Sequence, residues 1–409
     1  MLLDTLTKLT DHFSHEPLIV NAERCLNARY KNADCHRCAA VCPVEAIHLN
    51  KQPVQFDSEV CARCGACVWQ CPTEVFAQPQ ASKSKLRETL QAVGAVPVEL
   101  RCPQHTGNTT LIPDVTIIQQ PQCLADLSPA RLIDLAIERP VWLSDLACAA
   151  CPLTEAHASI TRAVNDANRW RAAFNQPRQI HVLTTDGNHF APPHTAPVMD
   201  STNPPSDRRN FFGFLKKALV ETGATVVGEP ANPNDLPVPV NQRLPQRLPR
   251  ERQNLLTVLS QLGQPQDVPL GLATISIELE QCTACGLCAK FCPTGSIRFQ
   301  ANEHRFDLDF IPAACLDCGI CMRACPAQAI TLTHDTLPRR FIRMTATLLV
   351  EGDLVPCAVC QKPTAAHGAG TRCEVCRTVP DQRSLAADFF RSLASNSQYG
   401  VTLDTGVKS

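Results

Sequence analysis

Between residues 81 and 186 the chain alternates between two kinds of apolar pattern. Val96 to Arg101, Val115 to Gln119, Val141 to Leu146 and Gln179 to Leu183 are short apolar runs of strand type. Lys83 to Val93, Pro129 to Glu138 and Thr154 to Phe174 read as helices, the second opened by Ser128 as N-cap and Pro129 in its first turn. This alternation predicts a parallel sheet with helices on its faces. Beyond it, Asp186 to Asn210 and Gly228 to Arg250 are rich in Pro, Asn and Ser and are expected to be extended linkers. Ser206 to Lys217 predicts an amphipathic helix whose phenylalanines, Phe211 and Phe212 among them, dock on a neighbouring domain or partner. Another helix is expected from Arg250 to Leu262.

Composition narrows the class. The 409 residues allow two to four domains. Only 5% are aromatic and 33 are proline, which favours several small cores over one large one. A net charge of −1 argues against nucleic-acid binding through a basic surface. No apolar run reaches the ~20 residues of a membrane helix. Met1 to Phe13 carries acidic residues and lacks the apolar core of a secretory signal. Arg208 and Arg209 before phenylalanines have the look of a twin-arginine export motif. Their place deep in the chain, with no long apolar stretch after them, argues against export. A cytoplasmic protein without a membrane span is expected.

The 24 cysteines change the picture most. Repeated two-residue spacings favour metal sites over disulfides, because two thiolates on one tight turn reach the same centre. Cys282, Cys285, Cys288 and Cys292-Pro293 form C-x2-C-x2-C-x3-C-P, and Cys315, Cys318, Cys321 and Cys325-Pro326 repeat it after 22 residues. Gly286 and Gly319 keep each turn narrow and leave backbone N–H groups to face the sulfurs. These motifs resemble the bacterial two-cluster 4Fe–4S ferredoxin family. The resemblance implies that Cys282, Cys285, Cys288 and Cys325 hold one cluster, and Cys315, Cys318, Cys321 and Cys292 the other. Two zinc sites are the alternative.

A second such unit lies near the start. Cys61, Cys64, Cys67 and Cys71-Pro72 are complete, whereas Cys35, Cys38 and Cys42-Pro43 are separated from their leading partner, Cys25, by nine residues instead of two. The same resemblance implies Cys25, Cys35, Cys38 and Cys71 for one cluster and Cys61, Cys64, Cys67 and Cys42 for the other. The gap makes Cys25 the soft point and its cluster the more labile one. His36 is expected to be a solvated loop residue. The duplication gives the chain a polyferredoxin character.

In the α/β region Cys102, Cys123 and the pair Cys148/Cys151 each follow an expected strand. The carboxyl ends of parallel strands share one edge, so the four thiols are candidates for a fifth metal centre, iron–sulfur before zinc. The runs around Cys102, Cys123 to Pro129 and Cys148 to Pro152 resemble a small iron–sulfur domain of hydrogenase-linked electron-transfer proteins. Three buried unligated cysteines plus a turn are the alternative; His105 and His157 are expected to be surface polar residues, with ligation as the alternative. At the end, Cys357, Cys360, Cys373 and Cys376 form two C-x2-C knuckles resembling a zinc ribbon or rubredoxin; zinc is favoured over a single iron.

The expected architecture is a multidomain α+β and α/β chain. Residues 1–80 form a two-cluster ferredoxin unit and 81–186 the α/β domain. Residues 187–270 are linkers and helices, 271–336 a second two-cluster unit, and 337–409 a ribbon-like tail. No phosphate loop, paired nucleophile and base, or open metal position announces substrate chemistry. The expected cofactors are four 4Fe–4S clusters, a fifth iron–sulfur centre and zinc. The expected role is a non-catalytic electron-transfer subunit in a hetero-complex with a redox enzyme of hydrogenase or molybdenum-dehydrogenase class. A metalloenzyme assembly factor, or a redox enzyme with its site in the middle domain, are the rival readings.

Overall fold

The computed structural model describes residues 18–49, 54–78, 81–186, 190–203, 246–366 and 372–378. The expected helix at Ser206 to Lys217, most of the Gly228 to Arg250 linker and the polar last residues lie outside them.

The first unit is small. Strand β1 (Ile19–Val20) pairs antiparallel with β4 (Phe76–Ala77), and β2 (Ile47–His48) with β3 (Gln55–Phe56). Short helices α1 (Leu26–Arg29) and α2 (Ala66–Gln70) carry the cysteine turns. Its core is built largely from the cysteines themselves, packed with Ile47, Val54, Val68, Val75 and Phe76. A unit this small buries too little apolar surface to be rigid without a bound centre.

Helix α3 (Ala81–Val93) leads into the middle domain. Strands β5 (Val98–Arg101), β7 (Thr116–Gln119), β8 (Val141–Ser144), β9 (Ile180–Val182) and β11 (Val198–Asp200) form one parallel sheet in the order β11-β7-β5-β8-β9. Helices α4 (Pro129–Leu135) and α5 (His157–Ala173) pack together beside it. As expected, Ser128 caps α4, its hydroxyl accepting from the Arg131 N–H at 3.3 Å. Strand β11 falls in the stretch read as linker. Its flanking prolines and asparagines mask a three-residue edge strand that aligns Val198 with Ile117. A two-stranded clasp, β6 (Thr109–Thr110) with β10 (His194–Thr195), closes over the domain.

Inside β5, Glu99 and Arg101 share one face and are both buried. Arg101 Nε donates to Glu99 Oε1 at 2.7 Å, and the Thr110 hydroxyl donates to Glu99 Oε2 at 2.5 Å. The other guanidinium nitrogens donate to the carbonyls of Gly107 and Thr109 at 3.1 and 2.7 Å. Arg101 thereby gathers the loop that begins at Cys102.

Helix α6 (Arg250–Gln261) follows and braces the molecule. Val258, Leu259 and Leu262 enter the middle core, and the Glu251 N–H donates to Glu74 of the first unit at 3.1 Å. Arg252 lies over the Phe341 ring at 4.8 Å and donates to the Ala313 carbonyl at 3.3 Å; burial lowers its pKa to about 10.

The second unit pairs β12 (Leu272–Ile277) with β15 (Ile330–Thr336) and places α7 (Leu287–Phe291) and α8 (Ile320–Arg323) at its cysteine turns. Strands β13 (Ile297–Ala301) and β14 (Arg305–Phe310) extend it. They continue through β16 (Thr347–Pro356) to β17 (Pro363–Ala365), so the segment expected as a tail begins inside this sheet. Among the described residues, no helix is long and apolar enough to cross a membrane.

Candidate metal centres

One backbone pattern repeats at four cysteine turns. The residue before the second cysteine is left-handed in each: Arg63, Ala284 and Asp317, at φ 54°, 55° and 52°. Asp34, before Cys35, has φ 52°, so Cys35 stands where Cys64, Cys285 and Cys318 stand. Three residues after the last cysteine of each motif, Glu45, Glu74, Gly295 and Gln328 are left-handed as well. Cys25 takes the leading position. Like Cys282 and Cys315, it is extended and directly follows a 3₁₀ turn, here Ala22–Arg24. The nine intervening residues loop out as α1 and its turn, and Cys25 is 7% exposed. Cys285, in the second unit, is exposed.

The turns bring the cysteines together in quartets. One cavity is lined by Cys25, Cys35, Cys38 and Cys71, and another by Cys292, Cys315, Cys318 and Cys321. Burial, and then the neighbouring thiolates of Cys71, Cys35 and Cys25, push Cys38 up to about 12. Burial pushes Cys67 up further, reinforced by Cys64, Cys61, Cys42 and Cys38. In the second unit burial raises Cys288 to about 12, with Cys285, Cys282 and Cys325 adding to it. Cys321 is raised by burial and by Cys318, Cys315, Cys292 and Cys288. Backbone N–H groups already point at several sulfurs: Ala46 at Cys42 (3.2 Å), Val75 at Cys71 (3.3 Å) and Ala329 at Cys325 (3.3 Å). Thiols held together this way ionise only against a cationic core, and the N–H donors suit the thiolate form. The donor set therefore fits iron–sulfur centres.

In the middle domain the carboxyl ends of β5, β7 and β8 bring Cys102, Cys123, Cys148 and Cys151 together. Cys148 is raised to about 12 by burial, followed by Cys123, Cys102, Asp145 and Cys151. Arg101 and Gln119 fix the Cys102 loop, Gln119 Nε2 donating to the Cys102 carbonyl at 2.7 Å. The nearby histidines have other partners: His105 Nδ1 meets Ser144 Oγ at 2.6 Å, and His157 Nε2 meets the buried Asp145 at 2.8 Å. His36, expected in solvent, is exposed and pairs with Asp34 at 2.7 Å.

The C-terminal knuckles differ in scale. The sulfurs of Cys357, Cys360, Cys373 and Cys376 all lie within 4.8 Å of one another, and Cys360 and Cys373 are 3.5 Å apart. Tetrahedral zinc with Zn–S near 2.3 Å sets sulfurs about 3.8 Å apart, so a single ion fits. Backbone N–H groups, chiefly that of Cys373 at 3.2 Å, lower Cys357 to about 6 and prepare it as a thiolate. Among the described residues no other group of three or more such ligands closes to that spacing.

The turn of the first unit abuts the middle domain. Trp69 Nε1 donates to the Ala125 carbonyl at 2.9 Å, and Gly65 sits at φ 80° where a Cβ would stand 2.7 Å from Asp126 Cβ. Gly65→Ala is expected to lose about 1–2 kcal/mol to backbone strain and more to the clash. Gly319→Ala carries similar strain at φ 66°, but its Cβ meets nothing nearer than Arg323 Cζ at 4.0 Å. Thermal unfolding of the two variants should therefore show a larger drop for Gly65→Ala. Equal drops would mean that this close approach contributes nothing.

No curated protein matches the chain. Residues 281–329 match the family model described as a 4Fe-4S dicluster domain, and residues 54–76 that described as a 4Fe-4S binding domain. The chain thus carries two ferredoxin-type 4Fe–4S domains, whose general chemistry is electron transfer.

Proposed function

We propose that this chain is an iron–sulfur electron-transfer subunit relaying electrons to or from an oxidoreductase of hydrogenase or molybdenum-dehydrogenase class. Four 4Fe–4S clusters are assigned to Cys25/Cys35/Cys38/Cys71, Cys42/Cys61/Cys64/Cys67, Cys292/Cys315/Cys318/Cys321 and Cys282/Cys285/Cys288/Cys325. Cys102, Cys123, Cys148 and Cys151 are assigned to a fifth iron–sulfur centre, and the C-terminal knuckles to a structural zinc.

The observation that carries this reading is continuity. Cys38 lies within electrostatic reach of Cys67, Cys64 of Cys123, and Cys288 of Cys321, so neighbouring quartets follow one another closely. When bound, each centre takes up or releases one electron without making or breaking a bond. The chain's own part is to hold the thiolates, exclude water and keep successive sites near.

Anaerobic purification with iron, sulfide and zinc analysis tests the cofactors. Capture of partners tests the role: an oxidoreductase that reduces the clusters with its own substrate is expected. Recovery only of apo-enzymes that gain metal from this protein would replace the relay by an assembly factor.

A further inference from the structure

The segment between Cys25 and Cys35 is longer than a ferredoxin turn needs, and it makes contacts that no compact turn would reach. Leu26 and Ala33 are 3% and 2% exposed because they pack on Ile320 of α8 and Ala324 just after it, in the other unit. Tyr30, Phe291, Cys35 and Cys318 complete the same apolar patch. The Tyr30 ring meets Phe291 edge-on at 5.2 Å, and its hydroxyl donates to the Arg323 carbonyl at 2.7 Å. Arg29 Nε donates to the Phe291 carbonyl at 2.8 Å, and Nη2 to that of Cys292 at 2.9 Å. Arg37 Nη2 donates to the Asp317 carbonyl at 2.8 Å, and Arg323 returns a hydrogen bond to the carbonyl of Ala33.

These contacts have a common address. On one side they come from the residues that flank Cys25 and Cys35; on the other they reach the residues that flank Cys292 and Cys318. Apolar packing excludes water between the two quartets, and carbonyl acceptors fix the register without a second charged side chain.

We infer that residues 26–34 are a junction arm, which seats the Cys25/Cys35/Cys38/Cys71 site against the Cys292/Cys315/Cys318/Cys321 site and joins the two units into one electron path. The inference rests on the cluster assignments proposed above. With the junction, the sites run in a single series. It starts at Cys282/Cys285/Cys288/Cys325, passes the arm, and ends at Cys102/Cys123/Cys148/Cys151. A transfer across the arm moves one electron from a reduced centre to its oxidised neighbour; no proton moves and no bond changes. Arg29 and Tyr30 are positioning residues, not ligands.

The test uses the full chain, purified anaerobically and reduced with dithionite. Pulsed EPR of the wild type should show dipolar coupling between a centre of each unit as strong as that within a unit. Arg29→Gln with Tyr30→Ala should keep the iron and sulfide content while abolishing the inter-unit coupling. Redistribution of electrons between units after flash reduction should slow at least tenfold. Strong inter-unit coupling that survives this double variant overturns the role of the arm. Cluster signals in the wild type without inter-unit coupling overturn the junction while leaving the relay intact. Absence of cluster signals in the wild type overturns the assignments themselves. Should the double variant fail to fold, Tyr30→Phe alone, which loses only the hydrogen bond to the Arg323 carbonyl, should weaken the inter-unit coupling, and unchanged coupling there overturns the role of the arm.

Discussion

Cys318→Ser should release one cluster and undock the two ferredoxin units, whereas Cys285→Ser should release one cluster and leave them docked. Both residues are the second cysteine of their motifs, and each substitution removes one thiolate. Their surroundings differ. Cys318 belongs to the apolar patch shared with Leu26, Ala33 and Tyr30, while Cys285 is exposed and outside that patch. Collapse of the Cys318 site should release the α8 face on which the arm packs. Iron should fall by about a quarter of the ferredoxin-type content in both variants. Only Cys318→Ser should open the 26–34 segment to limited proteolysis. Equal protection in the two variants would mean that the arm docks on α8 whether or not the neighbouring site is loaded.

The second large effect is expected in the middle domain. Glu99→Ala should destabilise it by about 3–5 kcal/mol, because it strands a buried guanidinium that has no other counter-ion in contact among the described residues. Glu99 and Arg101 are 0% and 1% exposed. The same change loosens the loop gathered by Arg101, so iron at the Cys102 site should fall as well. Replacing both residues by methionine should recover much of the stability, since removing both charges leaves neither unpaired. Denaturant unfolding followed by tryptophan fluorescence reads the first effect, and iron analysis the second. An unchanged midpoint for Glu99→Ala would show that water reaches Arg101.

The sequence exposed what is local and hid what depends on distant partners. Strands β5, β7, β8 and β9 and helices α3 to α6 were legible because buried strands and amphipathic helices impose their own periods. The cysteine turns were legible because ligand spacing is short-range chemistry. Strand β11 was not, since three residues between Pro197 and Asn203 take their strand character from pairing with β7. Nothing local singles out Glu99 and Arg101 within the Val96 to Arg101 run; only the tertiary fold buries both and brings the Thr110 hydroxyl to Glu99. The stretch from Cys25 to Cys35 looked like a defect in a motif. Its apolar residues, Leu26 and Ala33, have no periodicity to declare a purpose, because their partners lie in another unit. Strand β16 hid in the same way, its Thr347 to Asp353 stretch paired with β14 well upstream and its last residues with β17.

The span of the arm's contacts also has a consequence for biosynthesis. Arg29 and its acceptor in Phe291 are 262 positions apart, and Tyr30 and its acceptor in Arg323 are 293 apart. A chain made from its N-terminus exposes Leu26, Tyr30 and Ala33 long before α8 leaves the ribosome. Contacts of such separation carry the largest loop-closure cost and come late. The first unit therefore has to acquire its iron, or wait for it, with one apolar flank uncovered. Until the α8 face arrives, Leu26, Tyr30 and Ala33 stand open to contacts other than their native ones.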